Sequence, residues 1–484
     1  MIASRQHLSA SGLLSTIRQR FTSVPDGHTG SSSISMPDAL MSGLAVFGLK
    51  CPSLLSFDQQ RRDPIVDSNL HTLYGVEQVP CDTQMRTILD PVDPVDLRPA
   101  FKAVFAQAQR GKVLEDYVFF NGRYLMALDG THFFASSAVS CPHCCVKHAG
   151  TDQEGYYHQL LGAALVHPAL KEVIPLAPEP IVRADGQTKN DCEHNAAKRL
   201  LAHTRREHPH LPLIAVADAL YADAPFIKEL QAADMGFILG VKPTRHQALF
   251  QDAQQAIDAG YSHTLEIVDP EDARITHRFR WVHNLALNSS HPHLRVHFME
   301  YGQIGPKKKQ HFTWITDQPL TPDTVYTIMK GGRARWHIEN ETFNTLKNQE
   351  LRPRNPVSVQ RLCHADHAGL SGRSTPEALL SPLSTSPAQT PFHARLVGQN
   401  ACLFSQLHHR QLDRFLPGTH LWTGPTRPHP GHLVAPMGSP KSERPPFDVP
   451  PKSTPYCGDA TAMLTPTTPV KRAEQTSPKC FERE

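Results

Sequence analysis

The sequence predicts an α/β fold in which a mixed sheet is flanked by helices, preceded by a helical region and followed by a proline-rich tail. Apolar, β-branched segments alternate with amphipathic ones from residue 124 onwards, as in sheets with connecting helices. Residues 245–330 alternate like antiparallel strands, and 20 of the 42 prolines fall in residues 350–484. Because 484 residues exceed one ordinary core, we expect several domains.

The composition excludes several classes of protein. Lys plus Arg (49) nearly balance Asp plus Glu (46), and the net charge of +3 excludes a strongly basic nucleic-acid coat. Ten unevenly spaced Cys in so long a chain do not form a disulfide scaffold, which indicates a reducing compartment. The sequence has no apolar run of about 18 residues and no clear secretory signal, so we expect a soluble intracellular protein.

The first part of the chain is predicted to be helical after a flexible start. Residues 1–35 mix Arg, Ser and Gly without a clean apolar block, and we expect them to be flexible. Residues 36–60 carry apolar side chains at helical spacing, and residues 68–111 resemble short helices joined by proline turns. We therefore assign residues 36–118 to a helical region.

Strands and helices follow one another in residues 119–244. The predicted strands are rich in β-branched, aromatic and other apolar residues, as buried strands are. In chain order the segments are the strands RYLMALDGTHFFASS, YYHQLLGAALVHP and EVIPLAPEPIV, the helix NDCEHNAAKRLLAHTRREHP, the strand LPLIAVAD, the helix DAPFIKELQAAD and the strand GFILGVKP. Asn190 or Asp191 would cap the first of these helices.

Residues 245–330 interrupt this order. The segments ARITHRFRWVHNLAL, HLRVHFMEYGQ and QHFTWITDQ alternate between apolar and polar residues, which predicts an inserted β-rich piece. Residues 331–349, GGRARWHIENETFNTLKNQ, then predict a helix. One face of that helix carries Trp336, Glu339, Phe343 and Leu346.

Three carboxylates occupy positions that usually disfavour charge. Asp129 lies inside an apolar strand, Asp218 ends a buried strand where open α/β sheets place their sites, and Glu339 lies on an apolar helix stripe. Burying an unpaired carboxylate is costly, so each must be neutralised, paired or bound to a metal. Three such groups brought together repel one another, and oxygen-only ligands suit Mg²⁺ or Mn²⁺ better than Zn²⁺.

Each carboxylate also has a purely structural explanation when it is taken alone. Asp218 could cap the helix after its strand, and Glu339 could pair with Arg335 one turn away. It is less expected that all of these structural explanations hold at once, in this order of elements, than that the three carboxylates share one site.

Six motifs in residues 36–349 resemble a known family. They are FGLKCPSLLSFD, VPCDTQMRTILD, ALDGTHFFAS, KNDCEHNAAKRLLAH, DALYADAPFI and RWHIENETFNTLKNQ. Together they resemble DDE transposases of bacterial insertion sequences, of the insertion-sequence-4-like family with a ribonuclease-H-like core. The resemblance spans roughly two-thirds of the chain, and the β-rich piece at 245–330 matches the family's insertion between the second Asp and the Glu.

The resemblance implies that Asp129, Asp218 and Glu339 form a catalytic, metal-binding triad. The implied reaction is phosphodiester hydrolysis and strand transfer at the ends of a mobile element. Two Mg²⁺ or Mn²⁺ ions, about 3.5–4 Å apart, would activate the nucleophile and stabilise the leaving oxygen.

Two basic residues are implied to contact DNA phosphate. Arg335 matches the Arg of the family's Tyr-x2-Arg-x3-Glu signature, and Lys347 stands near the position of its Lys. The chain departs from that signature twice, because Gly332 stands at the Tyr position and Lys347 follows Glu339 by eight residues instead of seven.

The resemblance also implies partners and a compartment. The expected partner is double-stranded DNA, as transposon ends and target, bound by a homodimer in the DNA complex and without a membrane. We expect a cytoplasmic, nucleoid-associated bacterial protein. The helical region 36–118 is the candidate for specific DNA contact, on its position alone.

A second cluster lies in the segment CPHCCVKH. The Cys-x2-Cys pattern supplies half of a zinc site, and His158 and Cys192 follow further on. The candidate ligands within the segment are Cys141, Cys144, Cys145 and His148. No second Cys-x2-Cys or His pair completes the pattern, so we expect structural packing and consider zinc unlikely.

The tail at 350–484 is predicted to be disordered and out of frame. Its proline, Ser and Thr content leaves too little apolar surface to offset the entropy of ordering. Residues 350–354 can be encoded by codons that, read one base later, give Asn-Phe-Gly-His-Gly. The resemblance leads us to expect these residues there. We therefore expect transposition to be impaired or lost while the triad survives.

Two other functions stay open on the sequence alone. One is a different ribonuclease-H-like nuclease that uses the same metals, and strand nicking without joining would indicate it. The other is a catalytically dead DNA-binding relic of a transposase, which would lack Mn²⁺ binding that depends on Asp129 and Asp218.

Overall fold

Short helices form the part of the protein that precedes the sheet. The computed structural model describes residues 8–27, 33–49, 51, 53–138, 140–141, 143–183, 190–306 and 309–343. The first helices are α1 (Ala10–Phe21), α2 (Met36–Gly48), α3 (Leu54–Gln60), α4 (Pro64–Thr72), α5 (Asp82–Leu89) and α6 (Arg98–Arg110), with 3₁₀ turns at Pro94–Leu97 and Val113–Tyr117. Side-chain oxygens of Ser9, Ser35, Ser53 and Asp63 accept hydrogen bonds from the first turns of α1 to α4.

Helix α1 lies within residues 1–35, where we expected a flexible segment. Leu13, Leu14, Ile17 and Phe21 are at most 1% exposed and belong to the main hydrophobic core. These side chains recur at helical spacing, so one face of α1 is apolar although Arg and Ser lie between them. The expectation of flexibility is therefore corrected for residues 10–21.

One sheet organises the rest of the described residues. Its strands are β1 (Val118–Phe120), β2 (Arg123–Ser136), β3 (Cys145–Lys147), β4 (Gly155–Val166), β5 (Ile174–Pro175), β6 (Glu179–Ile181), β7 (Leu213–Ala217), β8 (Gly236–Gly240), β9 (His263–Val268), β10 (Thr276–Ala286), β11 (Arg295–Ile304) and β12 (Lys309–Thr316). They lie in the order β3-β4-β2-β7-β8-β12-β11-β10-β9, with β1 beside β2 and with β5 and β6 beside β4. The pairs β2–β7 and β7–β8 are parallel and the others are antiparallel, which confirms the predicted mixed α/β sheet.

Two helices connect the parallel strands. Helix α7 (Glu193–Glu207) precedes β7, and α8 (Ala224–Ala232) joins β7 to β8. Cys192 occupies the N-cap position of α7, where we expected Asn190 or Asp191. The Asn190 side chain instead accepts from the Val146 amide and donates to its carbonyl, at 2.8 and 2.6 Å, so it continues the edge of the sheet.

The β-rich part continues the same sheet. Strands β9 to β12 form an antiparallel meander, as predicted for residues 245–330, and helix α9 (Gln247–Asp258) precedes them. Strand β12 pairs with β8, with Trp314 opposite Gly240 and Thr316 opposite Ile238. Backbone hydrogen bonds therefore join this part directly to the parallel strands.

The described chain ends in a bent helical element. Helix α10 (Val325–Ala334) is followed by a π-helical turn at Ile338–Phe343, where we expected one helix over 331–349. The wider turn moves side chains off the predicted stripe. Trp336 is 52% exposed, whereas Ile338 and Phe343 are buried. Leu346 lies outside the described residues.

Two glycines allow α10 to lie close to the sheet. A Cβ atom on Gly331 would lie 2.7 Å from the Phe119 ring, and one on Gly332 would lie 2.6 Å from the indole nitrogen of Trp314. Gly332 is the residue that stands at the Tyr position of the family signature. The indole fills the space that a tyrosine would need, which gives a packing reason for this departure.

Replacing Gly332 by Tyr is expected to destabilise the protein, because the new ring must displace Trp314 or the whole helix. The free energy of unfolding should fall by about 1–3 kcal/mol, the usual cost of overpacking. Urea unfolding measures it, with Gly302→Tyr as the control because a Cβ atom there meets nothing within 4 Å. Equal stability of the two variants would contradict this account of Gly332.

None of the helices in the described residues has the length and apolarity needed to cross a membrane. Two expectations lie outside the described residues: Lys347 as a phosphate contact, and the disordered, out-of-frame tail at 350–484.

Candidate active site

Two of the predicted carboxylates lie side by side at one edge of the parallel strands. Ala127 of β2 is in register with Val216 of β7. Asp129 and Asp218 each stand two residues further along, so the parallel register places them at the same level. Asp218 accepts a hydrogen bond from the Leu220 amide at 2.8 Å, which fixes the turn after β7.

Glu339 reaches the same edge through the packing of its π-helical turn. Gly162 of β4 stands opposite Asp129 in the antiparallel register. A Cβ atom on Gly162 would lie 2.9 Å from the Phe343 ring and 3.6 Å from Ile338, so these side chains rest on the bare backbone of β4. That contact positions Glu339 above the strand that carries Asp129.

Arg335 joins two of the carboxylates. Its Nη1 donates to Asp129 Oδ2 at 3.0 Å and to Glu339 Oε1 at 3.2 Å. The Arg335 and Asp129 side chains are 15% and 19% exposed, and that of Glu339 is 48% exposed. The pairing of Glu339 with Arg335, which the sequence offered as a structural explanation, is thus present, and it extends to Asp129.

The pKa values show how the site tolerates its negative charge. Burial and a hydrogen bond to Glu339 raise the pKa of Asp129 from 3.8 to about 7, against the opposing effect of Arg335. Burial alone would raise the pKa of Glu339, but the hydrogen bond with Asp129 and the charge of Arg335 outweigh it and lower that pKa. Below pH 7, Asp129 therefore mostly holds a proton, which it shares with the ionised Glu339.

Sequence reasoning missed a fourth carboxylate at the site. Glu193, the first residue of α7, lies against Gly130, where a Cβ atom would be 2.5 Å from Glu193 Oε1. Tyr221 donates to Glu193 Oε2 at 3.0 Å, and Gln159 donates to Oε1. Burial, followed by the charge of Glu193, raises the pKa of Tyr221, so the phenol keeps its proton. The motifs KNDCEHNAAKRLLAH and DALYADAPFI contain Glu193 and Tyr221, but no local rule marked either one.

The carboxylates do not form a metal site in this arrangement. Among the described residues, the one group of three or more His, Cys, Asp or Glu whose ligand atoms all lie within 4.8 Å of one another does not include Asp129, Asp218 or Glu339. The Arg335 cation and the shared proton provide the neutralisation that we had assigned to divalent ions. The expectation of two Mg²⁺ or Mn²⁺ ions here, with zinc unlikely, is therefore corrected.

The group that meets this criterion is Cys141, Cys144 and His158, which has the ligand chemistry of a zinc site. Cys145 and His148, also predicted as ligands, point elsewhere. The Cys145 thiol donates to the Ile181 carbonyl at 3.6 Å, and His148 is exposed in a turn with φ of 52°. His158, which the sequence analysis named beside the segment but not among its four candidate ligands, completes the group from β4.

A cavity of 820 Å³ lies beside the carboxylates without including them. Side chains of α10, of the π-helical turn and of the β-rich strands line it, among them Phe312, Tyr326, Arg333 and Trp336. The Arg333 guanidinium lies over the Phe312 ring, 5.6 Å from its centroid, which gives the wall a cationic and aromatic character.

No protein-family model matches this chain, and no curated protein matches it closely enough to count as a relative.

Proposed function

We propose that this protein is a DNA strand-transfer enzyme of the DDE transposase kind, with a ribonuclease-H-like core. One observation carries the proposal: Asp129 and Glu339, 210 positions apart in the sequence, are joined by Arg335, and Asp218 lies at the level of Asp129. Polar groups that converge from distant segments on one edge of an α/β sheet are typical of an active site.

The residues of the site are suited to different steps of a reaction on a DNA phosphodiester. Arg335 offers several N–H donors, and guanidinium groups bind phosphate in a bidentate manner. A phosphate entering the site would compete with Asp129 for these donors, while Arg335 stays paired with Glu339.

Asp129 is suited to proton transfer. A general base works best with a pKa near the operating pH, and the pKa of Asp129 is raised to about 7. In its ionised form, which prevails above pH 7, it would accept the proton of an attacking water molecule or 3′-hydroxyl. Glu339, with its lowered pKa, stays ionised and holds Arg335 in place.

The direct test is cleavage and joining of DNA that carries the two ends of the element encoding this chain. The full chain should cut at the ends and join them to a second duplex, at a rate lowered by the expected loss of the normal C-terminus, and Asp218→Asn should lose both steps. Asp152→Asn is the matched control, because Asp152 is an exposed carboxylate in a turn. Parallel reactions with EDTA show whether a cation takes part. Equal activity of both variants would refute the proposal.

One observation favours a second candidate, a DNA-binding relic without catalysis. Arg335 satisfies both Asp129 and Glu339, an arrangement that is stable in the absence of substrate. If the protein is such a relic, the wild type and Asp218→Asn should bind the end DNA equally well, and neither should cut it. Nicking without joining would instead indicate the nuclease alternative.

A further inference from the structure

The cluster of Cys141, Cys144 and His158 has the dimensions of a metal site. His158 Nε2 lies 3.3 Å from the sulfur of Cys141 and 3.3 Å from that of Cys144, and the two sulfurs lie 3.5 Å apart. With Zn–S near 2.3 Å and Zn–N near 2.0–2.1 Å, tetrahedral coordination places such atoms roughly 3.5–3.8 Å apart. The triangle is only slightly smaller than that of a coordinated zinc ion.

We propose that Cys141, Cys144 and His158 bind one zinc ion, with the Asp90 carboxylate as its fourth contact through one water molecule. Cys144 and His158 are 2% and 3% exposed, so the ion would be enclosed by protein. An ion that protein encloses in this way has no coordination position open to a substrate, which is the property of structural zinc sites.

The contacts of the two thiols support metal binding. Cys144 donates to Cys141 Sγ, and His158 Nε2 faces both sulfurs, so the three ligand atoms already converge on one point. Thiolate is the form that binds zinc, so binding would release the thiol protons.

Asp90 provides the independent observation. It is the C-cap residue of α5, and its Oδ1 is buried without a hydrogen-bond partner among the described residues. The charge of this carboxyl interacts with that of Cys141, which places Asp90 beside the cluster. A buried carboxylate oxygen without a donor needs a cation or a water molecule.

The ion would join two parts of the fold. His158 stands opposite Phe134 in the β2–β4 register, next to the irregularity after His132. Asp90 belongs to the helices that precede the sheet. Zinc would therefore fasten the end of α5 to the outer end of β2 and β4, independently of any chemistry on DNA.

A Cys-x2-Cys pair can also work as a redox dithiol. Here the sulfurs are 3.5 Å apart, so they are not bonded, and one imidazole nitrogen lies equally far from both. A shared ion explains that symmetry, whereas a dithiol does not need the histidine at both sulfurs.

The experiment measures metal bound by the full chain, purified under reducing conditions without chelator. Elemental analysis should find one zinc ion per chain. Replacing zinc by Co²⁺ should give the visible bands of tetrahedral cobalt and the sulfur-to-cobalt charge-transfer band of two thiolates. Removing the zinc with a chelator should lower the Tm, and adding zinc back should restore it.

Variants with matched controls locate the site. Cys144→Ser and His158→Ala should lose the zinc, whereas Cys192→Ser and His148→Ala, which replace exposed residues, should keep it. Asp90→Asn should weaken zinc binding by about 10–100-fold, as is usual for a residue that supports a metal ligand.

Three results would overturn the proposal. The first is that the reduced wild type takes up no zinc or cobalt, and this result needs no variant. The second is a cobalt spectrum without thiolate ligation. The third is a disulfide between Cys141 and Cys144 that forms in the reduced preparation and excludes metal. Unchanged zinc affinity of Asp90→Asn would overturn the assignment of the fourth contact.

Discussion

Asp129→Asn is expected to stabilise the folded protein above pH 7 while it abolishes DNA cleavage. The folded pKa of Asp129, about 7, lies above the ordinary 3.8, so folding favours the protonated carboxyl. The stability associated with this proton is fully present below pH 3.8 and is lost as the pH rises through 7. An amide does not ionise and escapes that loss.

The pKa of Asp129 is raised from 3.8 to about 7, and each pKa unit corresponds to 1.36 kcal/mol. The variant should therefore gain on the order of 4 kcal/mol at pH 8, and the gain should vanish towards pH 4. Cleavage should fall by about 10²–10⁴-fold, the usual contribution of a general base. Urea unfolding from pH 4 to 8 and the cleavage assay measure the two effects.

Asp152→Asn is the control for both measurements, because this exposed carboxylate should change neither stability nor cleavage. If Asp129→Asn proves less stable than wild type at every pH, burial does not disfavour the ionised carboxyl and our account of the shared proton is wrong. If it is more stable and still cuts DNA, the account of the proton stands and the assignment of Asp129 as the base fails.

Gly162→Val is expected to detach the π-helical turn that carries Glu339. The valine side chain would occupy the space of the Phe343 ring, which lies 2.9 Å from the position of a Cβ atom. The free energy of unfolding should fall by about 1–3 kcal/mol, and cleavage should be lost because Glu339 and Arg335 leave the sheet edge. Hydrogen exchange at 338–343, together with urea unfolding, measures the detachment.

Gly302→Val is the matched control, since Gly302 is also a strand glycine and nothing lies within 4 Å of its Cβ position. Valine suits strands, so the control should keep or slightly gain stability. Faster exchange at 338–343 in both variants, or in neither, would contradict the role that we assign to Gly162.

The sequence predicted the parts of the fold that local patterns encode. Buried strands such as β7 are continuous apolar runs, and the meander of β9 to β12 shows clear alternation. Helix α1 was missed because Arg and Ser lie between its apolar residues. The bend after Arg335 was missed because a π-helical turn has no strong local signature, and its cause is the distant contact between Phe343 and Gly162.

The candidate site was predictable only in part for the same reason. Asp129 and Asp218 each break a local rule, and the register of β2 and β7 places them at one level. How their charge is balanced depends on Arg335 and on a proton shared between distant residues, and sequence spacing shows neither. His158 likewise joins Cys141 and Cys144 through the β2–β4 hairpin, although the chemistry of the CPHCC segment was visible from the start.

The pairing of β8 with β12 has a mechanical consequence. Among the described residues, three residue pairs join β8 to β12 and eight join β11 to β12, so sliding of the meander loads the short β8–β12 pairing most. A force on the outer strand β9 would travel from strand to strand as far as β7, at whose end Asp218 stands. A large ligand bound at β9 would therefore put strain on the carboxylates, because the strands of the sheet would move together.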